Sequence, residues 1–396
     1  MKLEEMKMVL GMESVPGCFE DIYSEIRDSW RERAGLILSE DYIREILTDV
    51  NALLPYMKTV LSAATEVRKS EAMCLLVCIL EKWVRAGGIV YDSAYTPPSG
   101  EGLALDFLHL FAAIPTMPDS VKFLRDRNVP EDVINSTMQE YDMCFEVCRI
   151  NIGRIAFDRG RLGWIRHVIA NNLIWVGRLR FELPVKRVEA IKTYKNEKGD
   201  IVVLADGMHL HKSGHIFGSV GCKDEAESFV ASIVESEDKI EGYPIEDGEV
   251  SFEKVTLKKS EWEMCLSGED SVLAVHIPRS GDFDRDCIEA SYTRMREIMK
   301  KCFSDMPYKA FHCRSWMMSR DLRKVLKPES NIFAFQNKYI HYPTISSGEW
   351  TLGNVFPGEG GLENLENYSE NTSLQRNIKA MYKNGEYIYD DCGFFF

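Results

Sequence analysis

The chain has 396 residues, more than one hydrophobic core usually serves, so two domains are expected. Its hydrophobic share of 45% and charged share of 28% exclude a disordered or fibrous protein, and no apolar run approaches the roughly 20 residues needed to span a bilayer. A net charge of −14 excludes a general nucleic-acid binder, which needs clustered Lys and Arg to neutralise phosphates.

The opening segment MKLEEMKMVLGMES carries two glutamates before its short apolar patch, unlike a cationic signal peptide. The first 182 residues read as helix. DIYSEIRDSWRERAG, SEDYIREILTDVNALLPYMKTVL and SEAMCLLVCILEKWVRAG place apolar residues at intervals of three and four, the period of a helix with one buried face. Ser39 stands before the second of these as an N-cap. Pro130, with Glu131 and Asp132 behind it, marks another helix start.

Cys74 with Cys78, and Cys144 with Cys148, lie four residues apart on single helix faces, a spacing poorly suited to disulfide geometry. The eleven cysteines therefore read as reduced thiols of a cytoplasmic protein. Between Arg149 and Arg187 lie Arg154, Arg159, Arg161, Arg166, Arg178, Arg180 and Lys186, against Asp158 and Glu182. This run reads first as a solvated face, and second as the best place in the chain for a phosphate-bearing ligand.

From residue 183 onward the pattern becomes mixed. VKRVEAIKTYKNEKGDIVVLAD predicts a hairpin turning at Asn196–Gly199. ESFVASIVES predicts a helix, while EKVTL, EWEMCL and VLAVHIP predict strands. CIEASYTRMREIMKKCF predicts an amphipathic helix with Ile288, Tyr292, Met295 and Met299 on one face. YKAFHCRSW predicts a strand, NIFAFQNKYI a helix or strand, WTLGNVF a strand, TSLQRNIKAMYKNG a helix and EYIYDDCGFFF the last strand. The sum is an α+β chain, with a helical domain over 1–182 and a mixed-sheet domain over 183–396.

Three stretches invite chemistry. His209, His211 and His215 fall within seven residues, but Lys212-Ser213-Gly214 reads as a turn and no further ligand completes a set; an exposed hairpin is the expectation, with no metal. VLAVHIPRSGDFDRD runs from a strand through a glycine loop into a helix, the layout that holds phosphate on backbone amides, yet Asp282, Asp284 and Asp286 crowd the helix start. In KAFHCRSW, alternation puts Phe311, Cys313 and Ser315 on one face and His312, Arg314 and Trp316 on the other. His312 therefore does not serve Cys313 or Ser315 as base. His276, at the end of VLAVHIP, does so if the two strands are neighbours; otherwise KAFHCRSW is a half-buried strand.

Together, VLAVHIPRSGDFDRDCIEASYTRMREIM, KAFHCRSW with SNIFAFQ, TSLQRNIKAMYKNG and GRLGWIRHVIANNLIWVGRLRFEL resemble the bacterial acyltransferase-domain-containing family. That family joins a helical N-acyltransferase N-terminal domain to a GNAT-like C-terminal domain. The resemblance implies two parallel strands that splay around an acyl donor, here VLAVHIP and YKAFHCRSW. It implies acyl transfer from a thioester to an amine, with His276 as general base and Ser315 or Cys313 protonating the leaving thiolate. Acyl-CoA is then a co-substrate, with no permanently bound cofactor, and the partners are a small-molecule donor and acceptor. Arg279, Ser280 and Gly281 would hold the donor. The expected loop reads Gln/Arg-x-x-Gly-x-Gly/Ala, and this chain lacks its second glycine. Either the donor is a carrier-protein pantetheine, or the segment containing Arg161 and Arg178 holds the phosphates. A different class fits the same residues: a non-catalytic ligand-binding or interaction protein that kept the fold and lost the loop.

Overall fold

The computed structural model describes residues 1–88, 92–279, 281 and 283–396. The chain divides into two compact units, Met1–Val176 and Gly177–Phe396.

The first unit is built on helices, from Leu3–Leu10 to Arg159–Ile169, and closes with the short strand Leu173–Val176. Glu71–Arg85 is its central helix: every residue from Leu75 to Leu80 is at most 2% exposed, as befits a helix apolar nearly all round. Its one buried acid, Glu81, is bonded by Arg33 and Arg85, which offsets the cost of burying a charge. Leu103–Ala113 is likewise buried over Phe107–Ala113. Cys78, Cys144 and Cys148 are buried as well, and all eleven cysteines are free thiols. Burial pushes the Cys78 thiol up to about 12, far from a reactive thiolate.

Ser39 caps the helix Glu40–Asp49, its Oγ accepting the Tyr42 amide at 3.3 Å. Ser39→Ala is expected to destabilise the protein by about 1 kcal/mol, read as a lower midpoint of chemical unfolding followed by helical circular dichroism.

In the second unit the strands Leu179–Val185, Val272–His276, Phe311–Ser315, Asp391–Phe395 and Ile340–Pro343 lie side by side in that order. Val272–His276 runs parallel to Phe311–Ser315 and antiparallel to Leu179–Val185. The register against Leu179–Val185 shifts between Val272 and Ala274, opposite the stretch holding Pro184, which has no amide hydrogen to give the ladder. One face of this sheet carries Phe181, Phe311 and Phe395, packed on Tyr292 with ring centroids 5.0–5.9 Å apart. Tyr292 belongs to the helix Arg285–Cys302, whose Ile288, Tyr292, Met295 and Met299 are buried together, the face the sequence predicts.

The other face, through Val272, Ala310, Cys392 and Phe394, shares a core with a second sheet built from residues 191–267. Within that sheet the Ile191–Asn196 and Ile201–Ala205 hairpin forms as expected. Two expected elements differ. ESFVASIVES forms the strands Ser228–Ala231 and Val234–Glu235 rather than a helix, because pairing with Met208–His211 and Lys239–Glu246 satisfies its backbone. WTLGNVF forms the helix Glu349–Val355 rather than a strand. Leu352 and Val355, three residues apart, both pack into the core around Ile378 and Tyr382, which an alternating strand, with those two on opposite faces, would not allow.

Candidate active site

The ladder between the two parallel strands is short. Leu273 is level with Phe311 and Ala274 with His312, and no further pair follows among the described residues, although the strands run on to His276 and Ser315. The strands therefore part at their carboxyl ends, and His276 lies on one lip of the gap.

His276 is held from behind. Its Nε2 lies 2.8 Å from Oε1 of Glu182 on the neighbouring strand, where Glu182 pairs with Ala274 and Arg180 with His276. Glu182 is 1% exposed, and Arg187 bonds both its oxygens at 3.2 and 2.9 Å. A carboxylate only accepts, so a ring hydrogen sits on Nε2, and in the neutral form of the ring the lone pair is on Nδ1. The imidazole is about one-third exposed. A buried acid fixing the tautomer of a half-exposed histidine is the arrangement that makes a directed general base. Sequence reading placed Glu182 only among the acids of the arginine run. Its role depends on strand pairing, and no local spacing reveals it.

His312 lies on the same face but is a different kind of residue. It is 3% exposed, its Nε2 is 2.7 Å from the Tyr342 hydroxyl, and burial pushes its pKa down to about 3. It is a neutral core histidine.

The structure does not bring His276 to Cys313 or Ser315. Because Ala274 is level with His312, His276 shares a face with His312 and Arg314, while Phe311, Cys313 and Ser315 face the helix side. Cys313 is 1% exposed, and burial pushes its thiol well above the ordinary range. Ser315 is half-buried at the strand end, with its Oγ accepting the Met317 amide at 3.1 Å.

The loop candidates converge in part. Nη2 of Arg178 lies 3.4 Å from the Gly281 carbonyl, and its guanidinium sits over the Phe283 ring. Gly281 adopts φ +83°, a conformation glycine tolerates without strain. Arg279 donates to the Asn354 carbonyl at 2.6 Å. Ser280 lies outside the described residues. The helix start behind the loop is already occupied: Asp284 accepts the amides of Asp286 and Cys287 at 2.9 and 3.2 Å. That carboxylate takes the position an anion would hold at a helix N-terminus.

Arg161 belongs to the helical unit, where its Nε is 3.7 Å from Asp158. Much of the arginine run is tied to acids there: Arg149 to Glu146 and Arg154 to Asp106. Of the three clustered histidines, His209 meets the Ser228 hydroxyl and His215 stacks on Tyr389. Among the described residues no group of three or more His, Cys, Asp or Glu is arranged to hold a metal ion.

Splayed parallel strands, a helix between them and a histidine at the gap define a GNAT-like domain. The chain belongs to the family of the GNAT-like C-terminal domain, whose model matches residues 173–395, more than half of the sequence. Two solved structures share the fold over the whole chain: an acyltransferase in complex with decanoyl-CoA and teicoplanin, and an acyltransferase in complex with CoA and 10C-teicoplanin. Each has a TM-score of 0.63 and 16% identity, covering 100% of this chain and 99% of the other. An acyltransferase mutant in complex with octanoyl-CoA aligns with a TM-score of 0.61 and 16% identity, again over 100% and 99%. No curated protein matches the sequence.

Proposed function

We propose that the protein is an N-acyltransferase, moving an acyl group from a thioester donor to an amine acceptor. The observation that carries this reading is the His276–Glu182 pair at the mouth of the parting strands. The donor's pantetheine lies in the gap, its carbonyl within reach of an acceptor amine. Nδ1 of His276 takes the amine proton as nitrogen attacks the carbonyl carbon; the carbon–sulfur bond then breaks and the thiolate leaves. Ser315 is assigned to protonate that thiolate, since its hydroxyl sits at a strand end. For Cys313 the same role is less well supported, because the thiol is sealed in the core.

Acyl-CoA is the donor this reading favours, supported by the acyl-CoA and CoA held by the acyltransferases of the same fold. The teicoplanin bound by one of them supports a small-molecule acceptor here. Arg178, Arg279, Ser280 and Gly281 are assigned to the donor's phosphate end, and Arg161 enters only as a cation of the helical N-acyltransferase-type domain. The Asp284 cap favours a second donor, a carrier-protein pantetheine without the nucleotide. Among the described residues no helix is long and apolar enough to cross a membrane, and the free thiols support a cytoplasmic setting.

Calorimetry with decanoyl-CoA and with decanoyl-pantetheine tests the donor. Binding of the first, weakened several-fold by Arg279→Ala through loss of a cation near phosphate, supports acyl-CoA. Equal binding of the two, unmoved by Arg279→Ala, selects the carrier donor. Failure of both at millimolar concentration replaces the enzyme with the non-catalytic binding protein.

A further inference from the structure

The His276–Glu182 pair has a third member that sets its charge. Arg187 lies two residues beyond the strand Leu179–Val185. Its Nη2 reaches back to both oxygens of Glu182, 3.2 Å from Oε1 and 2.9 Å from Oε2. Oε1 is also the oxygen 2.8 Å from Nε2 of His276. One buried carboxylate therefore joins a guanidinium to the imidazole. The Arg187 side chain is 45% exposed, so it brings to a sealed acid a charge that is itself still hydrated on one side.

A buried carboxylate needs an opposing charge to stay ionised. His312, on the same sheet face, does not supply it: burial, then Arg187, push its pKa down to about 3, and its ring is neutral. Arg187 does supply it, and a guanidinium keeps its charge at any working pH. Without that charge the acid and the histidine take up one proton between them. Resting on the carboxyl, the proton makes the acid an O–H donor toward Nε2, and the ring hydrogen sits on Nδ1. Resting on the ring, it makes an imidazolium with hydrogen on both nitrogens. Either way, the nitrogen assigned to take the acceptor's proton has lost its lone pair.

We propose that Arg187 is a positioning residue, which holds Glu182 ionised and so keeps the lone pair of His276 on Nδ1. The role rests on the general base assigned under the acyl-transfer reading, but the lone pair is observable without turnover. The test is nuclear magnetic resonance of the full chain at pH 8 with isotope-labelled histidine ring nitrogens, the His276 signals being assigned by their loss in His276→Ala. The natural protein should carry hydrogen on Nε2 alone. Arg187→Met, of similar length and without charge, should put hydrogen on Nδ1, and Arg187→Lys should restore the natural pattern. With Glu182→Gln in place there is no carboxylate to hold, so Arg187→Met should move the signals no further. In thiol release from decanoyl-CoA with butylamine, Arg187→Met should lower kcat about tenfold or more, part of what a general base contributes. Decanoyl-CoA affinity, read by calorimetry, should stay unchanged. If Arg187→Met does not fold, Arg187→Gln, which keeps a neutral donor, takes its place in each comparison. A lone pair still on Nδ1 without the arginine, or signals that move equally in the Glu182→Gln background, would overturn the role. So would weakened decanoyl-CoA binding as the main effect, which makes Arg187 a hand on the donor's phosphates. Natural protein that releases no thiol, while Nδ1 follows Arg187 as expected, sinks the acyl-transfer reading and keeps the control of Nδ1 by Arg187.

Discussion

His276→Ala is expected to lower turnover by roughly 10²- to 10⁴-fold, the usual contribution of a general base, while donor affinity stays nearly intact. The imidazole is placed to accept a proton from the acceptor, not to grip the donor, so the loss should fall on kcat. Steady-state kinetics following thiol release, beside calorimetry of donor binding, separates the two effects. Glu182→Gln should also slow turnover, because a side-chain amide no longer enforces the Nε2–H tautomer and leaves Arg187 without its carboxylate. Its fall should be smaller than that of His276→Ala, with an altered pH profile of kcat. Unchanged turnover in His276→Ala, with the donor still bound, would remove His276 from the mechanism.

Asp391→Asn is expected to stabilise the protein, and more so at higher pH. Asp391 is 3% exposed, and burial, against the partial relief of Arg320, raises its pKa to about 7. In the unfolded chain an aspartate titrates near 4. Between pH 4 and pH 7 the unfolded chain therefore releases this proton while the folded chain keeps it. The folded state binds more protons across that window, so its stability falls as pH rises through it. Above pH 7 the penalty is constant, on the order of 4 kcal/mol for a shift of about three pH units. Asparagine removes the titration and keeps an oxygen for the Arg320 amide. Urea unfolding at pH 8 should show Asp391→Asn more stable than the natural protein, with most of the gain gone at pH 5. A gain equal at both pH values, or none at pH 8, would show that Asp391 is ionised in the fold at little cost.

Local periodicity and capping record the part of this fold that is legible in the chain. Helical spacing set the character of the first domain, Ser39 marked its cap, and the buried face of Arg285–Cys302 could be named residue by residue. Alternation in KAFHCRSW already separated His312 from Cys313. Where apolar spacing pointed to the wrong element, tertiary packing decided: Ser228–Ala231 is a strand through its partner, and Glu349–Val355 a helix through the core that Leu352 and Val355 both enter. The site itself was a matter of register. That VLAVHIP lies parallel to KAFHCRSW came from a resemblance, but which face His276 shares depends on Ala274 standing level with His312. One residue of slip would have put it with Cys313. The same register delivers Glu182, 94 residues earlier in the chain, to the histidine's ring nitrogen. Side-chain direction in a sheet is fixed by pairing between strands distant in sequence, and no short-range pattern carries it.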